Sequence, residues 1–287
     1  MQEEKRKTLL VIDAANMYMR CVHVIDSEIV NEAFMREYKT LLLQMFKKTI
    51  STFNADRVIV CKEGFHNWRK EYYPEYKANR AITRAQSAID WELFYNENNK
   101  FIDDFEQIAQ NIQFLQVPNC EADDLIATIV KTQQDYDVIV QSTDKDFYQL
   151  FKYSNYKQYD AKNKTYIQVM NPETYLTEKI IMGDSGDNVP RISGVRKGQG
   201  PVFVRKNILP DVEKWLTENH MQDEWERNYT LISFDAIPEK YTSAIADKVN
   251  SWQKGVFQSR ELWNFLTKHK LMNLIDYMTE FVNVFSR

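Results

Sequence analysis

The chain has 287 residues, of which 44% are hydrophobic and 27% are charged, so it can bury a core and is not a disordered chain. Its net charge of −4 argues at first against a nucleic-acid partner, although this depends on where the acids lie. Three cysteines without a C-x-x-C spacing predict buried thiols in a reducing cytoplasm. No apolar run approaches the ~18 residues of a membrane span.

Strand and helix patterns alternate from the beginning of the chain. Residues 8–13 predict a buried strand, followed by a helix over about 14–24. A second helix is predicted over about 31–53, because apolar residues recur there at helical spacing. RVIVC at 57–61 predicts a short buried strand, so the chain begins as an α/β protein.

Residues 64–105 interrupt this alternation with a segment rich in aromatic and basic residues. The segment far exceeds the usual length of a loop between a strand and a helix, so it is a functional insertion with some helix of its own. WRKEYYPEYKANR (68–80) interleaves bases with rings, which suits single-stranded nucleic acid, since cations follow phosphates and rings stack on bases. An amphipathic helix that packs its tyrosines would show the same pattern, and both interpretations stay open.

The alternation resumes after the insertion. IQFLQVP (112–118) predicts a strand, a helix begins at Glu121, and DVIVQS (137–142) predicts the next strand. YKQYD and TYIQVM predict edge strands around a turn centred on Asn163. Strand patterns stop after Pro172.

Acidic residues follow or end these strand patterns, and two more lie in a later turn. The eight residues are Asp13, Glu121, Asp123, Asp124, Asp144, Asp146, Asp184 and Asp187. A single acid at such a position is explained as a helix cap or as a complement to the helix dipole. Their recurrence at equivalent strand ends is not explained in that way.

The carboxyl ends of parallel strands meet at one edge of a sheet, so these acids should converge. Like charges in such a group require cations, and a set of oxygen ligands favours hard ions such as Mg²⁺. The sequence therefore predicts a site for two or three divalent ions, which is typical of phosphodiester cleavage. With the eight acids set aside as ligands, the net charge of −4 becomes +4.

GDSGDNVPRISGVRKGQGP at 183–201 lies within a mostly helical stretch, 173–287. It lacks the spacing of an EF-hand loop and the ending of a phosphate loop. Five basic residues lie within this segment or shortly after it and flank its glycine turn: Arg191, Arg196, Lys197, Arg205 and Lys206. A glycine turn between helices can direct backbone N–H groups at a phosphate, which predicts contact with a duplex. The alternative is a helix–turn–helix corner with a solvated basic face.

Five motifs together resemble the bacteriophage-type 5′-nucleases, or flap endonucleases: VIDAANMYMR, PEYKANR, EADD, STDKD and GDSGDNVPRISGV. The resemblance implies an α/β fold, with a PIN-like parallel-sheet nuclease core over residues 1–182 and a helical arch inserted at about 64–105. Residues 183–287 would form a helical DNA-binding region, with a helix–three-turn–helix at about 183–206. The family cuts DNA or RNA–DNA 5′ ends with Mg²⁺.

The resemblance also assigns roles to residues. It places metal-binding positions at Asp13, Glu121, Asp123, Asp124, Asp144, Asp146, Asp184 and Asp187. Lys77 and Arg80 match arch positions that contact the reacting phosphate, which makes them the predicted catalytic residues. The residues predicted to bind DNA are Arg69, Tyr76, Gly194, Arg196, Lys197, Gly198, Gly200 and Lys206.

One position departs from the family pattern. The family has an aspartate just after the second strand, where this chain reads Cys61-Lys62-Glu63-Gly64. We expect Glu63 to take its place as a metal ligand, as a weaker contributor than Glu121. The glycine spacing of VRKGQGP is less regular than that of the family, which leaves a monovalent cation at this turn open.

We therefore predict a structure-specific 5′-nuclease, a flap endonuclease and 5′–3′ exonuclease of DNA replication and repair that uses two or more Mg²⁺ ions, for which Mn²⁺ can substitute. The expected partners are DNA with a 5′ flap or nick and RNA–DNA hybrids, with a single-strand binding protein or a clamp as further candidates. We expect a monomer in the cytoplasm of a cell or of a viral host, without membrane contact. The alternatives are a PIN-type ribonuclease, which the second acidic turn disfavours, and a non-catalytic DNA-structure binder, which only the gap at Cys61 supports.

Overall fold

A computed structural model describes residues 6–196 and 198–287, and one six-stranded sheet organises the molecule. The strand order is β3-β2-β1-β4-β5-β6, in which the first five strands are parallel and β6 pairs antiparallel with β5. The strands are β1 (Lys7–Asp13), β2 (Arg57–Cys61), β3 (Gln113–Leu115), β4 (Tyr136–Gln141), β5 (Tyr156–Asp160) and β6 (Thr165–Tyr166). This sheet confirms the predicted α/β class.

Helices surround the sheet and make up the C-terminal part of the described chain. Those before β5 are α1 (Ala14–Val22), α2 (Glu32–Phe53), α3 (Trp68–Tyr72), α4 (Ala78–Ala85), α5 (Trp91–Ile108) and α6 (Ala122–Thr132). Those after β6 are α7 (Pro172–Met182), α8 (Pro201–Asn207), α9 (Val212–Asn219), α10 (Gln222–Ile232), α11 (Glu239–Ser251), α12 (Leu262–Lys268) and α13 (Met278–Phe285). A short 3₁₀ helix, Asp146–Lys152, follows β4. None of the helices in the described ranges is long and apolar enough to cross a membrane.

The alternation of side chains along β1 divides the core into two layers. Leu10 and Ile12 face a cluster formed with α1, α2, α5 and the last helices. Leu9 and Val11 face a second cluster formed with α6 and α11. Because successive side chains of a strand point to opposite faces, a strand that is apolar throughout fits a sheet covered on both sides. The edge of the sheet at which the parallel strands end is not covered in this way, and polar groups can lie there.

Most predicted elements are present with small changes at their ends. The predicted helix at 31–53 begins at Glu32, because the Asn31 side chain caps it by accepting the N–H of Phe34 at 3.0 Å. The strand predicted at 112–118 is paired only over Gln113–Leu115. The chain turns away after this strand, where Pro118 has no N–H to donate to a neighbouring strand.

The glycine cluster connects α7 to α8 around a small separate core. Its apolar residues are Ile181, Ile192, Val195, Val204, Ile208 and Leu216. Asp184 and Val189 exchange backbone hydrogen bonds of 2.9 and 2.7 Å, which closes a tight acidic hairpin (residues 184–189). Gly183 enters this hairpin at φ +67°, and a Cβ there would lie 2.5 Å from the carbonyl oxygen of Val189, so only glycine fits.

Candidate active site: an acidic rim with internal cations

Asp13 lies at the end of β1, where it both caps α1 and faces β4. One of its carboxylate oxygens accepts the N–H of Asn16 at 3.0 Å, and the other accepts the hydroxyl of Ser142 at 2.7 Å. Burial, together with the like charge of Asp144, raises the pKa of Asp13 to about 6. A carboxylate held in this way tends to take up a proton or a cation.

Glu121 and Asp123 come from the beginning of α6, beside the end of β1. Burial alone would raise the pKa of Glu121, but the Lys77 and Arg69 cations outweigh it and lower the pKa to about 2. Asp123 differs, because burial and then the like charge of Asp144 raise its pKa well above the usual value. The pKa values of these two neighbouring acids are thus shifted in opposite directions.

A second acidic group combines the region after β4 with the acidic hairpin. Asp146, Asp184 and Asp187 each offer an oxygen within 4.8 Å of the others, and this is the one such group of three acids in the part of the chain that the structure describes. Asp144 binds the N–H of Asp146 at 2.8 Å and so fixes the turn that presents Asp146. The two acidic groups share the edge of the sheet that the strand ends predicted.

Besides Arg69, three cations lie among these acids. Lys77 pairs with Glu121 and lies 3.6 Å from an oxygen of Asp187, while Arg80 binds Asp187 at 2.6 Å. Lys179, at the end of α7, pairs with Asp146 and lies 3.0 Å from Asp184. The sequence interpretation missed Lys179, because its partner Asp146 lies 33 residues earlier in the chain.

The base of the arch is hydrogen-bonded to the acidic hairpin. The N–H of Lys77 donates to the carbonyl of Asp187 at 2.8 Å, and the Asn79 side chain donates to the carbonyl of Ser185 at 2.7 Å. Asn188 returns a bond to the carbonyl of Glu75 at 2.8 Å. These three bonds form what we call the arch–hairpin seam, and they place Lys77 and Arg80 beside the acids.

Two arch residues predicted to bind DNA are in fact buried. Arg69 is 2% exposed, donates to the carbonyl of Leu231 and to Glu121 at 2.9 Å each and to Asp124 at 3.1 Å, and forms an ion pair with the other Asp124 oxygen at 2.8 Å. Tyr76 is 3% exposed, and its hydroxyl donates to both Glu121 and Asp187 at 3.1 Å. Each side chain holds carboxylates in place, a position that does not favour contact with DNA, and their role in DNA binding stays a prediction.

Asp124 lies beneath Glu121. Its side chain is fully buried, and one of its oxygens accepts the Trp68 indole N–H at 3.1 Å and the backbone N–H of Glu121 at 2.9 Å. The other oxygen forms an ion pair with Arg69 at 2.8 Å. Asp124 thus caps the helix and orients Glu121, and its role as a metal ligand stays a prediction.

The rest of the arch differs from this buried base. No residue of α4 is buried, so the helix that follows Lys77 is exposed to solvent. An exposed helix beside a cluster of charges is available to a ligand. The prediction of a substrate-facing arch therefore applies to α4 and to Lys77 and Arg80 at its beginning.

Glu63 and Cys61 lie where the family pattern is broken. Cys61 is fully buried and is paired in register with Asp13, so the two side chains point to the same face of the sheet. A thiol thus lies beside Asp13 at the end of β2, as part of an apolar core cluster. Glu63 is exposed two residues further on, and one of its oxygens approaches the N–H of Ala122 at 3.4 Å. Its role as a ligand stays a prediction.

Residues of the glycine turn fall into two groups. Arg196 and Lys206 are exposed, and added atoms at Gly198 and Gly200 would meet open space, so these positions are free to contact a ligand. Gly194 instead packs against an indole, since a Cβ there would lie 2.8 Å from Trp215. Lys197, also predicted to bind DNA, lies outside the described residues.

A guanidinium already occupies the carbonyls of the glycine turn. Arg191 donates to the carbonyl of Arg196 at 3.3 Å and to that of Gln199 at 3.1 Å. A monovalent cation would need carbonyl oxygens of this kind. Because Arg191 supplies the positive charge itself, this geometry does not favour such an ion.

The donor set at the rim fits divalent metal ions. All the candidate ligands are carboxylates, which hard cations prefer. The internal cations Lys77 and Lys179 lie among them, as the electrostatics of a crowded acidic site requires. The residues that fit a metal are those whose carboxylates face this edge: Asp13, Glu121, Asp123, Asp144, Asp146, Asp184 and Asp187.

A family model described as the 5′–3′ exonuclease, N-terminal resolvase-like domain, matches residues 8–180, more than half of the chain. This chain belongs to the 5′–3′ exonuclease family. It is therefore a nuclease that hydrolyses phosphodiester bonds with divalent metal ions. The match includes the strand ends, the arch and α7, but ends before the acidic hairpin.

Relatives extend the similarity to the whole chain. Ribonuclease H of Enterobacteria phage T4 is 27% identical over 98% of each chain, and the flap endonuclease of Escherichia phage T5 is 25% identical over 89% of this chain and 94% of its own. A crystal structure of the T5 flap endonuclease in a pseudo-enzyme–product complex with DNA and metal ions superposes with a TM-score of 0.62, at 20% identity, over 98% of this chain and 100% of that chain. A second T5 structure, co-crystallised with metal ions, gives the same TM-score at 21% identity, over 97% of this chain and 99% of that chain. At this identity, the structures support a shared fold.

Proposed function

We propose that this protein is a structure-specific 5′-nuclease that removes 5′ flaps and primers during replication, with Mg²⁺ or Mn²⁺ as the metal. The observation that carries the proposal is the meeting of Lys77 and Arg80 with the acidic rim. The cations of the arch and the carboxylates at the strand ends face each other across the edge of the sheet. A site of this kind can hold both metal ions and the phosphate group that they act on.

The substrate proposal follows from the chemistry of the surfaces. An exposed arch over the acids suits a single-stranded 5′ end. Exposed Arg196 and Lys206 beside the glycine turn suit the backbone of a duplex, whose phosphates supply affinity through counterion release. We divide the chain accordingly into a nuclease core at 1–182 and a DNA-binding region at 183–287. The names of the phage relatives, a ribonuclease H and a flap endonuclease, support both RNA–DNA and DNA flaps as substrates.

The protein's own groups have separable tasks in this reaction. The carboxylates of the rim would hold divalent ions, which would activate a water and stabilise the leaving oxygen. Lys77 and Arg80 release Asp187 and bind the scissile phosphate instead, where they stabilise the negative charge that develops during the reaction. Arg69 and Asp124 hold Glu121 in its orientation and do not touch the substrate. Action as a monomer in the cytoplasm stays a prediction.

Cleavage of a 5′-labelled flap in Mg²⁺ and in EDTA tests the proposal. We expect cleavage only with the metal, and expect Asp144→Asn to lose most of it while it still binds the flap. Asp276→Asn, which removes an exposed acid far along the chain from the rim, is the matched control. Flap binding by the parent protein without any Mg²⁺-dependent cleavage would favour the alternative, a non-catalytic DNA-structure binder in which Cys61 marks a lost ligand.

A further inference from the structure

Lys179 is the cation that the reaction above does not use. It lies on α7 within one turn of the end of the helix, and its side chain is 14% exposed. Its ammonium pairs with Asp146 and lies 3.0 Å from Asp184. The following residues, Ile180 and Ile181, are almost completely buried, so the backbone that carries the lysine is fixed by the core.

This ammonium contacts acids that could hold a metal ion. Asp146 and Asp184 belong to the group of acids whose oxygens lie within 4.8 Å of one another. Lys179 contacts two of these three acids. The third, Asp187, forms ion pairs with Lys77 and Arg80 of the arch. A divalent ion that used the same oxygens would have to displace the ammonium. The flexible four-carbon stem of lysine permits that movement without any change in α7.

The two sets of cations differ in origin. Lys77 and Arg80 belong to the arch, so an approaching phosphate can draw them away from Asp187. Lys179 belongs to the body of the fold, and its described ion-pair partners are the two acids alone. Without a cation, three carboxylates this close repel one another. Because the backbone of Lys179 is held by the core, its ammonium stays available to relieve this repulsion in the metal-free protein, and it competes with the metal for the same oxygens.

We propose that Lys179 is a built-in counter-ion of the second acidic group, which competes with a divalent ion for Asp146 and Asp184 and so sets the metal concentration at which that ion binds. The proposal rests on the metal-dependent function above and makes Lys179 a positioning residue. Its action on the reaction is exerted through the two carboxylates.

Titration of Mn²⁺ by calorimetry in the absence of DNA tests the proposal. For Lys179→Met, we expect the weaker of the binding events to tighten about tenfold, which corresponds to ~1.4 kcal/mol. For Lys179→Arg, we expect weaker binding than in the parent, because a planar guanidinium can hold both carboxylates at once. Lys152→Met is the matched control, because it breaks a half-exposed ion pair with Asp235 outside the acidic group.

Thermal unfolding in EDTA provides a second readout. Lys179→Met should melt several degrees lower than the parent without metal, and saturating Mn²⁺ should remove that difference. If Lys179→Met does not fold, the opposite shift expected for Lys179→Arg still tests the proposal. Unchanged Mn²⁺ affinity in both variants overturns it, as does a loss of flap affinity in EDTA without a change in metal affinity, which would make Lys179 a substrate contact. Absence of Mn²⁺ binding by the parent would instead contradict the metal-dependent function itself.

Discussion

Replacement of Arg69 by methionine should destabilise the protein strongly without removing a DNA contact. The guanidinium forms ion pairs with Glu121 and Asp124, which are 5% and 0% exposed, and a hydrogen bond with the carbonyl of Leu231. Methionine fills a similar volume but leaves Asp124 without a cation, whereas Glu121 keeps Lys77. Removal of one partner of a buried ion pair costs about 3–5 kcal/mol, which is a large part of the ~5–15 kcal/mol that stabilises a typical domain.

Urea unfolding at 25 °C in EDTA measures this change in the free energy of unfolding. Arg80→Met is the control, because the Arg80 side chain is 48% exposed and its ion pair with Asp187 should contribute at most about 1 kcal/mol. Flap binding should be tested under conditions in which the Arg69 variant is folded. A loss of stability below about 1 kcal/mol for Arg69→Met, accompanied by weaker flap binding and a flatter salt dependence, would refute the reasoning and restore Arg69 as a DNA contact.

Three further predictions concern the rim and its two basic regions. The pKa of Asp13 is raised to about 6 from 3.8, so its charge reduces stability above that pKa and this loss should disappear as the pH falls from about 6 towards 4. Mn²⁺ affinity should fall over the same range in the parent, and it should fall less in Asp13→Asn, where Asp123, whose pKa is also raised, still competes for protons; calorimetry at several pH values can check this. Glu63→Gln should slow single-turnover cleavage, and Cys61→Asp should restore the rate in that background by placing a carboxylate beside Asp13; failure of both effects would show that Glu63 is not a ligand. Lys77→Ala should retain most flap affinity but cut slowly, whereas Arg196→Ala should bind more weakly, with a salt slope reduced by about one, and identical profiles for the two would contradict their separate tasks.

The strand ends were predictable because they depend on one geometric rule. Apolar runs that end in acids specify where each strand stops, and parallel pairing then brings those ends together wherever else the chain goes. Asp13, Asp144 and Asp146 reach the edge of the sheet for this reason. The same rule requires no knowledge of the helices, so errors in helix length leave it unaffected.

The orientation of the arch residues was not predictable in that way. Bases interleaved with rings have the same composition whether they face a ligand or the interior. Arg69 and Tyr76 are buried because carboxylates of α6 and of the acidic hairpin, distant in the chain, approach them. Lys179 was missed for a similar reason, since Asp146 precedes it by 33 residues and only the fold brings them together.

The arch–hairpin seam determines which changes in length the protein can tolerate. It joins residues near 75–80 to residues near 184–188 through backbone carbonyls and amide side chains. Insertions in the part of α4 after Arg80 or within the glycine turn leave these bonds in register, so these exposed segments can change in length. One residue added between Glu75 and Arg80 would instead rotate both cations away from Asp187. The seam therefore separates a variable outer surface from a short stretch of chain whose length is fixed.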